Sequence, residues 1–345
     1  MKRRAIDWSD CAAQLASAIP RGALHPAVVA WAEENPPSAK WHVAFSGGAD
    51  SLALLLLLWA HWPKRRRRLV ALHFNHRLRG RAARSDAKFC AGVCSALGVD
   101  YVTDEWREAK PGASEAEART ARLAFFAAKS RVLWLGHQQD DIAETLLMRL
   151  GRGSGTGGLA APRPVQMMPR GRTHLRPLLT LKKAELVAAL QAAGAEWRED
   201  ATNGTGIYLR NRIRQDVLPG WIEASHRDAL AGAARSRELL EEDDAALEAW
   251  LAELRPLHPD GWLNLSALQD KPRAVVRRAV HAWLLAQSKA GELSRQAFDL
   301  LLAAVERGAP TKQSIGKQGF AVVRAGRLVF VPIGKPQRRF RGRAN

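Results

Sequence analysis

The stretch Val43-Ala44-Phe45-Ser46-Gly47-Gly48-Ala49-Asp50-Ser51-Leu52 constrains this chain more than any other. A short β-type run meets two glycines, and an apolar helix-forming run from Leu52 to Ala60 begins at once. A strand that turns on small residues straight into a helix presents unpaired backbone N–H groups and the positive end of the helix dipole, which suits an anion. The glycines let a phosphate approach the backbone. A Walker loop adds a lysine at such a turn; this one has a carboxylate, Asp50, instead. A bare carboxylate would repel phosphate, so the arrangement calls for a divalent cation, Mg²⁺, bridging Asp50 and the phosphate oxygens. Asp50 or Ser51 could otherwise cap a helix after a tight turn, but the strand-loop-helix context favours phosphate. The candidate phosphate-binding residues are Ser46, Gly47, Gly48, Ala49, Asp50 and Ser51.

From residue 41 onward, short β-rich runs alternate with amphipathic stretches of helical length, the pattern of a parallel sheet covered by helices. Strands are predicted at 41–45, 69–74, 99–103 and 132–135, and helices at 50–61, 84–97, 114–130, 140–150 and 181–193. The fold class is therefore α/β, a doubly wound and mostly parallel sheet followed by a C-terminal helical domain. A looser Gly-, Pro- and Arg-rich segment, 151–174, interrupts the pattern. Beyond Pro219 the β signal vanishes: one long helix is predicted over 226–254, further helices at 272–287 and 294–306, and a hairpin at 320–323 and 327–331. The expected boundaries are an N-terminal helical extension (1–39), the phosphate-binding domain (40–220), a helical domain (221–310) and a hairpin with a basic tail (311–345).

Fifty-three Lys and Arg against 34 Asp and Glu give a net charge of +19, which makes a polyanion the first partner to consider. The excess sits in two basic lobes, 1–222 and 261–345, on either side of an acidic stretch, 223–260. Three cysteines rule out a paired disulfide framework, and Cys90 and Cys94, four apart, lack redox or zinc spacing. With no apolar run beyond about half a membrane span, a cytoplasmic protein is expected.

Asp141 and Glu144, three apart at a predicted helix start, share one face. Either could bind Mg²⁺, hold an ammonium group or act as a base; Asp141 is preferred as the metal or catalytic group and Glu144 as the ammonium or orienting contact. His137 could orient a reacting group, and Arg119 could neutralise phosphate charge during reaction. Arg210, Asn211, Arg212 and Arg214 form a basic run suited to RNA or to a solvated face. Lys64 to Arg68 reads as a loop patch for nonspecific backbone contact or solubility. Of the twelve tryptophans, Trp41, Trp59, Trp134 and Trp250 are expected in the core, and Trp106 and Trp197 are candidates for stacking on bases.

The S-G-G-x-D-S pattern of Ser46 to Ser51 resembles the PP-loop ATP pyrophosphatases, with their adenine nucleotide alpha hydrolase-like fold. That resemblance implies cleavage of ATP between the α and β phosphates. Further segments narrow it: Leu72 to Gly80, Ala118-Arg119-Thr120-Ala121-Arg122, Gly136 to Thr145, Gly151 to Gly155, Asp200 to Asn203 and Arg210-Asn211-Arg212-Ile213-Arg214. Over about residues 40–220 these resemble the tRNA(Ile)-lysidine synthase family. The likeness implies ATP bound also by His73 and Asn75, catalytic roles for Asp50, Arg119, His137, Asp141 and Glu144, and Mg²⁺ on Asp50 and Asp141. It implies L-lysine and tRNA(Ile) with a CAU anticodon as substrates, the tRNA contacted by Arg77, Arg152, Arg176, Arg210, Asn211, Arg212 and Arg214 and by the helical domain. Protein partners are left open, a homodimer included. Two departures stand out: His137 is followed by Gln138 where the family has a second His, and the region after the helical domain is short. The alternatives are a PP-loop tRNA thiolase, for which the cysteines are badly placed, and a non-catalytic nucleotide-sensing RNA-binding protein, for which the retained acids have no use.

Overall fold

The computed structural model describes residues 6–35, 38–77, 81–108, 114–199, 209–287, 293–316 and 319–333. It divides into two compact units, Met1–Glu241 and Glu242–Asn345.

The first unit begins with α1 (Trp8–Ala18) and α2 (Pro26–Glu34) and continues through β1 (Trp41–Ala44), α3 (Ala49–His61), β2 (Leu69–Asn75), α4 (Arg81–Leu97), β3 (Asp100–Glu105), α5 (Glu115–Lys129), β4 (Val132–Trp134) and α6 (Gln139–Leu150). It then runs through α7 (Thr156–Leu159), β5 (Val165–Met168), β6 (Arg172–Leu175), α8 (Lys183–Ala192), α9 (Leu209–Arg212) and α10 (Leu218–Ser225) into α11 (Ala229–Leu254), within which the unit boundary falls. The sheet order is β3-β2-β1-β4-β6-β5, with β5 antiparallel to β6 and every other pairing parallel. The chain steps outward from β1 to β3 and returns to β4 on the other flank of β1. The crevice at the C-terminal ends of β1 and β4 is thus the topological switch point, where open α/β sheets bind ligands.

Helix α3 is apolar all round because it is covered all round. Leu52 to Leu58 are buried to within 1%, between β1, α1 and α8, so this helix cannot shift without opening the core. Ala12, Leu15 and Val28 of α1 and α2 are fully buried in the same cluster. Those two helices are part of the α/β core, not an appendage to it.

The 151–174 segment, expected to be irregular, carries β5 and β6. Its β6 sequence, Arg-Thr-His-Leu, hides the strand because Thr173 and His174 are polar yet buried. The Lys64 to Arg68 patch is likewise more than a solubility device. It forms a 3₁₀ turn, Pro63–Arg68, in which Arg65 is buried over the Trp41 ring at 4.4 Å and donates to the Asn35 and Ala39 carbonyls. Arg66 lies 3.5 Å over Trp59. Trp41 and Trp134 are fully buried as expected and Trp59 is half-buried, but Trp250 is 39% exposed, a correction to its placement in the core.

The second unit holds the C-terminal half of α11, β7 (Leu263–Asn264), α12 (Arg273–Ala286), α13 (Arg295–Arg307), β8 (Thr311–Ser314), β9 (Gly319–Arg324) and β10 (Arg327–Pro332). The expected hairpin is present as β9 and β10, widened to a four-stranded antiparallel sheet, β7-β10-β9-β8. Its core joins Val275, Val280 and Trp283 of α12 to Leu301, Ile315, Ala321 and Leu328. The basic tail, 335–343, lies outside the described residues. Among the described residues no helix is long and apolar enough to cross a membrane.

Replacing Arg65 by Ala removes the stacking on Trp41 and two carbonyl partners. It should destabilise the first unit by about 2 kcal/mol, read as a lower denaturant midpoint with an unchanged slope.

Candidate functional site

The β1–α3 junction is built from within. Gly48 caps α3 with an extended backbone. Ser51 Oγ donates to the Gly48 carbonyl at 3.0 Å and accepts from the Ser46 N–H at 3.2 Å, and Ser46 Oγ accepts from the Gly48 N–H at 3.3 Å. The serines therefore shape the loop, and Asp50 does not cap the helix. Gly47 has φ +85° and no room for a side chain, since a Cβ would meet Cys90 Sγ at 3.0 Å and Phe89 at 3.2 Å. Its carbonyl accepts from the Arg198 N–H at 2.9 Å, while the Arg198 guanidinium pairs with Asp86 of α4 at 3.0 Å and donates to Ser85. Across the crevice, Gly136 abuts the start of α3: a Cβ there would stand 2.9 Å from the Asp50 carbonyl oxygen. His73 Nδ1 donates to the Phe45 carbonyl at 2.9 Å, which ties β2 to the last residue before the loop. Burial lowers the His73 pKa, so the ring is neutral. Asn75 Oδ1 accepts from the Arg77 N–H at 2.8 Å, and exposed Arg77 pairs with Glu105 at 3.6 Å.

Asp50 is the anomaly of this junction. Its Oδ1 is buried with no hydrogen-bond partner among the described residues. Burial pushes its pKa up to about 6; Lys183 is the largest opposing influence and Asp141 adds to the rise. A buried carboxylate oxygen without a hydrogen-bond partner among the described residues, at the mouth of a phosphate-type loop, fits a divalent ion shared with phosphate oxygens. Among the described residues no group of three or more His, Cys, Asp or Glu could hold a metal alone, so such an ion would need ligands from the phosphates.

A second cluster sits at the start of α6. Gln138, fully buried, caps that helix by accepting from the Asp140 N–H at 2.6 Å, and Asp141 Oδ2 accepts the Gln138 N–H at 2.9 Å in return. Glu144, also fully buried, takes Arg210 Nε at 2.7 Å and Arg214 Nε at 2.5 Å, and Arg210 bonds Asp141 Oδ1 as well. Two carboxylates and two guanidiniums thus close on one another. Both oxygens of Asp141 are engaged, so of the two expected metal ligands only Asp50 stands ready. Asn211 is partly buried and Arg212 exposed on the same short helix, and Arg152 is exposed in the turn after α6.

His137 Nδ1 accepts from Arg176 Nε at 3.1 Å, which leaves the ring proton on Nε2. Burial and the nearby charges of Arg176, Arg210, Arg119 and Arg122 hold its pKa well below the ordinary value. Buried Arg176 also donates to the Arg163 carbonyl at 2.8 Å and has no carboxylate partner among the described residues; burial, aided by Arg119, draws its pKa down to about 10. Arg119 itself is exposed on α5. A cavity of about 440 Å³ opens beside Glu144 and Arg214, lined also by Asp140, Lys183, Leu218 and Ile222. A second, of about 410 Å³, is walled by Trp106, Glu117 and Thr120. Trp197 packs half-buried against the main core. The Asp200 to Asn203 segment, and Leu78 to Gly80, lie outside the described residues. Lys183 and Arg198 escaped sequence reasoning as site residues, because a Lys-Lys pair and a lone Arg carry no motif; Gly136 belongs to the Gly136 to Thr145 segment but has no role assigned to it there.

The PP-loop domain family matches residues 27–221. The tRNA(Ile)-lysidine synthase of Geobacter sulfurreducens is 36% identical over 282 residues, 76% of this chain and 58% of its own length. That of Symbiobacterium thermophilum is 40% identical over 61% of this chain and 45% of its own. The chain thus spans about half the length of these two relatives. By contrast, the tRNA(Ile)-lysidine synthase of Salinispora arenicola is 34% identical over 335 residues, 93% of this chain and 96% of its own length.

The raised Asp50 pKa has a definite sign for stability. Below its unfolded value of 3.8 the group is protonated in both states; as pH rises towards 6 only the folded state resists ionisation, so stability is lost across that window. Asp50→Asn should therefore be more stable than the parent protein above pH 6, by about 3 kcal/mol, seen as a higher melting temperature, with the two melting curves converging below pH 4. Gly136→Ala should weaken nucleotide binding at least tenfold, measured by calorimetry, because the new methyl displaces the backbone of Asp50.

Proposed function

Because the chain belongs to the tRNA(Ile)-lysidine synthase family of PP-loop proteins, we propose that it is an ATP-dependent ligase that joins lysine to C2 of the wobble cytidine of tRNA(Ile) with a CAU anticodon. The observation that carries this reading is the unpartnered Asp50 carboxylate in the phosphate loop, backed by a separate carboxylate pair that could receive an amine. It acts in the cytoplasm.

The C2 carbonyl of cytosine is a poor electrophile. In this reading its oxygen attacks the α phosphate of ATP, pyrophosphate departs, and the adenylated base carries AMP as leaving group; a lysine amine then adds at C2 and AMP is expelled. Mg²⁺ on Asp50 and the phosphates would offset the charge that builds on the transferred group. The Ser46 to Ser51 loop holds the triphosphate through the N–H groups its serines do not already take, those of Ser46 and Gly48 being engaged within the loop, and Gly47 and Gly136 keep the approach open. Arg176, buried and making no ion pair among the described residues, suits the α phosphate or the adenylate, with exposed Arg119 beside it. Neutral His137, its Nδ1 occupied, offers Nε2–H as a donor to the base or phosphate.

Lysine arrives protonated, since its amine has an ordinary pKa near ~10.4. Asp141 and Glu144 can take the ammonium only by releasing Arg210 and Arg214, and the natural acceptor for displaced guanidiniums is the tRNA backbone. Binding of RNA thus frees the acids for lysine. Arg77, Arg152 and Arg212, all exposed, and the partly buried Asn211 are assigned to the tRNA.

The test is incubation with Mg-ATP, labelled lysine and bacterial tRNA. AMP and pyrophosphate formed only with tRNA, and label in a cytidine derivative, support the proposal. ADP with orthophosphate, or tRNA that gains sulfur, counts against it. Glu144→Gln should cut kcat/KM for lysine by at least 100-fold while tRNA affinity holds or rises, because its arginines are released.

A further inference from the structure

The phosphate loop contains no lysine, yet splitting a triphosphate next to the α phosphate leaves a highly charged pyrophosphate that needs cations as it departs. The fold supplies a candidate from elsewhere in the chain. Two bonds pin the start of α8 to the start of α6: the Gln139 N–H donates to the Leu181 carbonyl at 2.8 Å, and the Lys183 N–H donates to Asp140 Oδ2 at 2.9 Å. Helix α6 follows β4, the strand beside β1, so this pinning brings Lys183 to the crevice at the switch point.

Its side chain lines the 440 Å³ cavity with Asp140, Glu144 and Arg214. The ammonium makes no ion pair or hydrogen bond among the described residues, whereas Lys182 next to it is bound to Asp228 at 2.5 Å on the exposed surface. Asp140, the nearest acid in sequence contact, spends one oxygen on the Lys183 backbone and does not neutralise the side chain. Lys183 is also the largest cationic influence on Asp50. Lys183 thus has an ammonium with no counter-charge and Asp50 a carboxylate oxygen with no hydrogen-bond partner among the described residues, and a metal-bound triphosphate would supply what each lacks.

We propose that Lys183 stands in for the missing loop lysine, binding the β and γ phosphates of ATP and the pyrophosphate released from them. This rests on the reading that ATP occupies the loop. The side chain is a mobile point charge on a flexible stem, suited to following a departing phosphate group.

Equilibrium binding of Mg-ATP, pyrophosphate, AMP and L-lysine to the full-length protein tests it. Lys183→Met should weaken ATP and pyrophosphate by about 10- to 100-fold and leave AMP within about twofold; Lys183→Arg should restore most of the loss, and Lys182→Met should match the parent protein. Unchanged ATP affinity, or equal losses for ATP and AMP, overturns the proposal. So does a loss confined to L-lysine, which would give Lys183 to the amino acid's carboxylate instead. A parent protein that binds ATP with this Lys183 dependence but never forms lysidine would sink the functional reading and leave this one standing. Lysidine formation with undiminished ATP binding by Lys183→Met would do the reverse.

Discussion

A carboxylate oxygen buried without a hydrogen-bond partner among the described residues, Asp50 Oδ1, is the interaction left unmade in this structure, and the rest of the site is arranged around it. Asp50 rides on the first turn of α3, a helix so completely enclosed that it cannot relax to bring the group into water. Gly136 packs against its backbone from β4, and the Arg198 strap holds Gly47 from α4. The fold thus holds this group at an electrostatic cost, which in the proposed reading a cation shared with phosphate would relieve. Differential stabilisation of this kind is how a site favours the charged, ligand-bound state over its own resting state.

The second cluster is the opposite case, in which every charge is answered. Glu144 is fully buried with two guanidiniums at hydrogen-bond distance, and removing one partner of such a group costs about 3–5 kcal/mol. The pair also fixes α9 and the π-helical turn Ile213–Val217 against α6. An acid this well neutralised cannot bind an amine at rest.

The strand-loop-helix at residues 43–52 was legible because its chemistry is local: spacing, glycines and one misplaced acid suffice. The alternating strands and helices of the α/β domain were legible for the same reason, down to the bounds of α3 and β2 within a residue or so. What escaped were features set by partners distant in sequence. Arg210 and Arg214 read as an RNA-facing run because nothing local announces that Glu144, 66 and 70 positions earlier, will claim them. Strands β6 and β8 lack apolar alternation, being Arg-Thr-His-Leu and Thr-Lys-Gln-Ser, and exist because neighbouring strands supply the ladder. Arg65 looked like surface charge until Trp41 gave it a ring to lie on.

Gln138 shows how such a departure can be accommodated. The position is fully buried and its side-chain oxygen caps α6, a task that requires an acceptor near the Asp140 N–H rather than an ionisable ring. A histidine there could accept through one nitrogen only, and its other nitrogen would need a buried partner of its own. Glutamine meets the first demand but leaves Nε2 without a partner among the described residues. The preceding residue then has to face the crevice alone, and the structure equips it for that: Arg176 fixes the tautomer of His137, and the surrounding guanidiniums keep it neutral. This pair therefore presents one histidine held in one proton state, with Nε2–H as the donor of its ring.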